Sequence, residues 1–307
     1  MATIPVVYKA ESLSPSLINN WIKPITDQYL KFELWDPTKC YPKNTLFYIN
    51  CVEDPSQAEV DRSTDQGFRV MIDNLWEADM GPLHNAFRLC CSQWFWYHES
   101  LWYQYLNYDK YQPQKNHQYL ALMPINKQKL HRTDFLQSLG TLKDNMIWSY
   151  VQQGRQLPND EDMEHPGTQR FFNPKWYDET YLSVAVESVV TPVLQYTPVF
   201  ITEKTFKPIA FRHPFMVYGN VGTLNSLHDM GFVTFDNLWD ESYDSMSDAD
   251  QRKTCIIELL KNIETTDYDT ETLQRLQHNH AHFFNRELVI DRIKKEILEP
   301  IVEYAEI

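Results

Sequence analysis

Thr202, Glu203 and Lys204 stand in a row where the apolar run PVFI gives way to a helix-compatible segment, Lys204 to Phe211. At such a junction a threonine can cap the helix. A carboxylate can accept hydrogen bonds from two hydroxyls, and an ammonium can meet an anion beside the positive end of the helix dipole. A ligand carrying two phosphates, a ribose and a sugar needs that set of groups. The same tripeptide also makes an ordinary helix start, so its surroundings must decide. Glu187, sixteen residues before Glu203, ends the preceding apolar run and offers a second carboxylate. Lys127, Lys129 and Arg132 crowd the loop after another apolar run, YLALMPI, three cations together in a chain of net charge −14. Three of only eight glycines, Gly219, Gly222 and Gly231, fall in YGNVGTLNSLHDMGF, where backbone must turn tightly or approach a neighbour closely.

Other constellations are weaker. A divalent ion on a diphosphate calls for acids at a strand end, but Asp160-Glu161-Asp162, Asp248-Ala249-Asp250 and Asp267-Tyr268-Asp269 fall in polar loops or helix starts and read as solvated acids. His278, His280 and His282 would place only the outer pair on one helical face, so no metal site is expected. The aromatic belt from Trp94 to Tyr111 offers ring faces for sugars or bases, yet such spacings also serve a core, and that reading comes first.

The elements that must position these residues alternate. Short apolar runs at Pro5–Tyr8, Thr45–Val52, Phe68–Ile72 and Ala86–Cys91 read as strands, Pro15–Tyr29 as helix, and Glu53–Gln66 as a loop or short exposed helix. The polar, proline-containing stretch Gln112–His117 marks a domain boundary, giving residues 1–115 and 116–307. Beyond it, Tyr119–Ile125, Tyr181–Val186, Phe215–Tyr218 and Phe232–Phe235 read as strands, Thr133–Leu142 as helix, 154–170 as loop, and Asp248 onward as helical. The closing amphipathic stretch Arg286–Tyr304 is able to pack back across the boundary. The expected class is α/β, two Rossmann-type doubly wound domains facing a cleft.

The pattern VES…FITEKTFKPIAFRHPFMVYG resembles the donor-site region of the α1,3-fucosyltransferase-like glycosyltransferases, in which a strand-end carboxylate precedes an aromatic-x-T-E-K motif, a helix and a strand ending in glycine. The opening YLALMPIN with KQKLHRTDFLQSL is similar to the start of the same family's nucleotide-binding domain, and Gly231–Asp244 resembles phage-type relatives. The resemblance implies a GT-B-like fold. It also implies a nucleotide-sugar donor such as a GDP- or UDP-sugar, with Glu203 on the ribose and Arg132 and Lys204 on the diphosphate. Phe200 stands where the family often has Tyr, so that hydroxyl is lost. The implied reaction is an inverting transfer to an acceptor hydroxyl without a required metal or further cofactor. It needs a base, and the family places one after a strand similar to Arg69-Val70-Met71-Ile72; Glu77 ranks first, Asp73 second and Asp79 third. The expected acceptor is a glycan, with a hydroxymethylated base in phage DNA as the alternative; a binding protein of the same fold that performs no turnover is the reading from another class.

Composition limits the rest. A chain of 307 residues with 43% apolar content and 9 Trp, 18 Tyr and 16 Phe has material for two cores. The −14 charge disfavours a general nucleic-acid clamp. Five cysteines without CxxC spacing suggest neither a disulfide framework nor zinc, and fit a cytoplasmic setting, that of the host if the chain is viral. The first sixteen residues lack the basic flank and apolar stretch of a secretory signal, and no run reaches the length of a membrane span.

Overall fold

The structure, a computed structural model, describes residues 4–8, 30–42, 45–51, 57–74, 86–89, 94–157, 173–191 and 199–306. The chain divides into two compact units. One comprises Met1–Leu101, Val193–Pro198 and Arg286–Ile307; the other comprises Trp102–Pro192 and Val199–Asn285. The sequence expectation places a boundary at 115/116 and lets Arg286–Tyr304 pack back across it; by contacts, Arg286–Ile307 groups with the first strands.

In the first unit, β1 (Ile4–Tyr8), β2 (Leu30–Leu34), β3 (Leu46–Cys51), β4 (Arg69–Asn74) and β5 (Ala86–Leu89) form a wholly parallel sheet in the order β2-β1-β3-β4-β5. Parallel strands are covered on both faces, so they are written as apolar runs. Val6, Val7, Leu46, Phe47, Val70 and Met71 are buried accordingly. Helix α1 (Gln57–Asp65) lies in the acidic stretch read as loop or short helix, and its Val60 joins Val7, Phe47, Phe68 and Val70 in one core. Helix α2 (Trp94–Tyr105), whose residues up to Leu101 belong to this unit, buries Trp96 and Tyr97, in keeping with the core reading of the aromatic belt. The closing helices carry contacts that explain their grouping: the Arg69 guanidinium lies 4.4 Å over the Tyr304 ring, and the Tyr97 hydroxyl donates to Glu296 at 2.6 Å.

In the second unit, β6 (Tyr119–Ile125), β7 (Met146–Tyr150), β8 (Thr180–Val186) and β9 (Phe215–Tyr218) form a second parallel sheet, ordered β7-β6-β8-β9. All seven residues of β8 are buried, as a central strand requires. The helices are α3 (Leu130–Ser138), α4 (Lys175–Glu179), α5 (Glu203–Ala210), α6 (Thr223–Asp229), α7 (Ala249–Asn262) and α8 (Thr270–Phe283). The mixed α/β architecture with two parallel sheets is therefore present. Among the described residues no helix is long and apolar enough to cross a membrane.

Three local features differ from the sequence reading. Met146–Tyr150, not singled out in the sequence, is the edge strand β7, while Phe232–Phe235, expected as a strand, joins no ladder. Side chains satisfy its backbone instead. The Asn279 amide exchanges hydrogen bonds with both polar groups of Val233, at 2.8 and 2.7 Å, and Glu241 accepts from the Phe235 amide at 2.8 Å. The helix expected at Thr133–Leu142 starts three residues earlier and ends at Ser138, passing into a 3-10 turn over Gly140–Asn145.

Candidate functional site

Strand β6 lies between β7 and β8, so the connections leaving β6 and β8 run to opposite sides of the sheet. A crevice opens at the carboxyl ends of two such strands. The loops that start there, at Asn126 and Glu187, carry most of the candidate residues of this unit.

Glu187 follows β8 and is fully buried. Its Oε1 accepts from the Thr202 amide at 2.9 Å and the Thr205 hydroxyl at 2.8 Å; its Oε2 accepts from the Thr202 hydroxyl at 2.6 Å and the Ser188 amide at 3.3 Å. A buried carboxylate is tolerable only when so many donors surround it. Glu187 thereby ties the end of β8 to the first turn of α5. Thr202 is the N-cap of that helix, its Oγ1 accepting from the Lys204 amide at 3.4 Å. Its β-branched side chain suits the extended backbone of a cap.

Lys204 extends back over this turn. Its Nζ stands 2.9 Å from Thr202 Oγ1, 2.9 Å from Glu203 Oε1, 3.5 Å from Ser188 Oγ and 4.0 Å from Glu187 Oε2. Glu203 is 5% exposed. Burial alone would push its carboxyl up, but the Lys204 and Lys207 ammonium groups, the Lys204 hydrogen bond and its own amide together hold it at about 2.

From the other loop, Arg132 of α3 enters the same place. It is 2% exposed, donating through Nη1 to the Lys127 carbonyl at 3.1 Å and through Nη2 to Ser188 Oγ at 3.2 Å. Its Nε is buried with no hydrogen-bond partner. Burial lowers the guanidinium pKa, and Glu187 and Glu203 oppose that. Lys129, the N-cap of α3, donates from Nζ to the Ser188 carbonyl at 3.1 Å, and the His131 ring nitrogen Nε2 lies 2.9 Å from the Glu187 carbonyl. Three cations from two loops and a helix start thus converge on one neutral residue, Ser188. Sequence reasoning passed over Ser188; the available signal was a small hydroxyl residue directly after a strand-end acid.

The remaining candidates are placed as follows. Lys127 is exposed, and it is its carbonyl that meets Arg132. Gly219, just past β9, is buried, and a Cβ there would lie 2.9 Å from Thr223 Oγ1 and 3.6 Å from the Glu187 Cβ, so the glycine permits a close approach behind Glu187. Asp73 is a backbone position of β4, in register with Asn50 and Leu89. Glu77 and Asp79 lie outside the described residues. Asp248 and Asp269 cap α7 and α8, accepting from the Gln251 and Thr272 amides at 2.9 and 2.7 Å; residues 160–162 lie outside the described set. His278, His280 and His282 each place ring nitrogens against backbone carbonyls, at 2.8 to 3.0 Å, and so hold main chain together. Among the described residues no group of three or more metal-type ligands is assembled.

The arrangement supplies one buried cation, Arg132, with an unused donor, two half-buried ones, two carboxylates and a helix start. It can hold an anionic ligand that also carries hydroxyls. No family model and no curated protein matches the chain. Among solved structures it is similar to an α1,3-fucosyltransferase (11% identity, TM-score 0.47, covering 95% of this chain and 92% of that one). It is also similar to an α1,3-fucosyltransferase with GDP (13%, TM-score 0.41, 95% and 92%) and to one with GDP-fucose (12%, TM-score 0.42, 94% and 93%). Likeness of that degree leaves the chemistry to be argued from the chain's own residues.

Proposed function

We propose that this chain is a nucleotide-sugar-dependent glycosyltransferase, moving a hexosyl or fucosyl group from a GDP- or UDP-sugar to an acceptor hydroxyl, with inversion and without a required metal. The observation that carries the reading is the convergence of Lys129, Arg132 and Lys204 on Ser188 at the switch point of a parallel sheet. The sequence pattern around Thr202–Lys204 points the same way. In this reading the acceptor oxygen attacks the anomeric carbon and the bond from that carbon to the diphosphate oxygen breaks. Arg132 and Lys204 stabilise the charge that develops on the departing nucleoside diphosphate. Lys129 and Lys127 extend the cationic rim, Glu203 orients hydroxyls of the donor, and Glu187 with Thr202 and Gly219 fixes the helix start. A carboxylate, Glu77 ahead of Asp73, takes the acceptor proton. A glycan is the acceptor proposed.

Hydrolysis of GDP- and UDP-sugars in the absence of acceptor tests the reading. Wild type should release nucleoside diphosphate, and Lys204→Ala should reduce kcat/KM by ten- to a hundredfold, the worth of one charge-assisted contact of about 1.5–3 kcal/mol. Turnover that is equal in both proteins, or absent from wild type with every donor, overturns it.

A further inference from the structure

Arg252 on α7 is 1% exposed and touches no ligand-facing side chain, yet its fork grips the segments on either side of the cation cluster. Nη2 donates to the Val190 carbonyl and, at 3.2 Å, to the Gly219 carbonyl; Nη1 donates to the Met246 carbonyl. Val190 is two residues beyond Ser188, and Gly219 is the position packed behind Glu187. The next residue, Lys253, pairs with Asp134 on α3, the helix that carries Arg132. The first turns of α7 therefore reach both halves of the cluster. Among the described residues, the Arg252 hydrogen bonds go to main-chain carbonyls rather than to carboxylates, and its Nε is buried without a partner. Burial lowers the Arg252 pKa, and the Tyr218, Asp244 and Asp248 side chains oppose that from nearby, so the guanidinium stays charged while its hydrogen bonds hold main chain.

We propose that Arg252 is a positioning residue for diphosphate binding: it locks the Ser188 loop and the Gly219 turn from inside so that Lys129, Arg132 and Lys204 stay aimed at one anion. The inference rests on the glycosyltransferase reading above. Lysine cannot replace this arginine, because a single ammonium cannot span carbonyls of three segments.

The test is calorimetric titration of the full chain with GDP, UDP, inorganic pyrophosphate and the corresponding nucleosides, for wild type, Arg252→Lys and Arg252→Met. A folded Arg252→Lys should bind pyrophosphate and the nucleoside diphosphates about tenfold more weakly or worse, while nucleoside affinity stays unchanged. An unchanged diphosphate affinity, or an equal loss for nucleoside and diphosphate, overturns the inference and leaves the reading of the site standing. Wild type that binds no diphosphate overturns both. Should neither variant fold, hydrogen exchange of wild type decides: pyrophosphate should protect the amides of residues 188–191, and no protection overturns the inference.

Discussion

Glu203 is buried, ionised and next to Lys204, and this makes its proton a reporter of the site. Its carboxyl is held at about 2 against an ordinary 4.5, so the ionised form is the one that the fold favours. The linked contribution to stability is complete above pH 4.5 and is lost as pH falls toward 2. Glu203→Gln should therefore be less stable than wild type at pH 7, with the gap closing in that acid window. Chemical denaturation across pH 2 to 7 measures it, and a gap that does not change with pH contradicts the coupling. At this scale the sequence was legible where chemistry and position coincide in one short segment, as at Thr202–Lys204. Ser188 was not legible, because its role comes from two loops that meet only after strands β6 and β8 pair.

The start of α5 is the element on which the site depends. Thr202 caps it and also gives its hydroxyl to Glu187, so one side chain closes the helix and anchors it to β8. Thr202→Ala should cost about 1–2 kcal/mol from the cap and more from the stranded carboxylate, whereas Thr202→Ser should recover most of the loss. Urea unfolding of the three proteins compares them, and equal losses for Ala and Ser would show that the hydroxyl is not what matters. Strands written as continuous apolar runs, such as YLALMPI and YLSVAV, were readable because burial on both faces leaves no alternation to confuse them. FVTF is strand-like in composition but finds its partners in the side chains of Asn279 and Glu241, which no local pattern reveals. MIWSY went unnoticed because it follows a polar stretch and carries a serine inside a run no longer than five residues, without the flanking contrast that marks FMVY.

For the molecule as a whole, the −14 charge confines any cationic surface to a local cluster. Retention on duplex DNA should be negligible at about 0.15 M salt, near the physiological ionic strength at which exposed charges are strongly screened. Steeply salt-dependent retention on a DNA column would contradict that and favour a nucleic-acid acceptor. That Arg286–Tyr304 could return across the boundary was readable from its amphipathic pattern, but which strands it joins was not, since an amphipathic helix states that it packs and not where.

The proposed activity requires one ligand class to bind one cluster. A thermal-shift measurement with nucleoside diphosphates tests this most directly, because a ligand that binds only the folded state raises its melting temperature. At about a hundredfold excess over Kd, GDP or UDP should stabilise wild type by about 2.7 kcal/mol, several degrees, with no such shift from the matching nucleoside and a much smaller one in Lys204→Ala. No shift with any nucleoside diphosphate, or the same shift in Lys204→Ala, would contradict it.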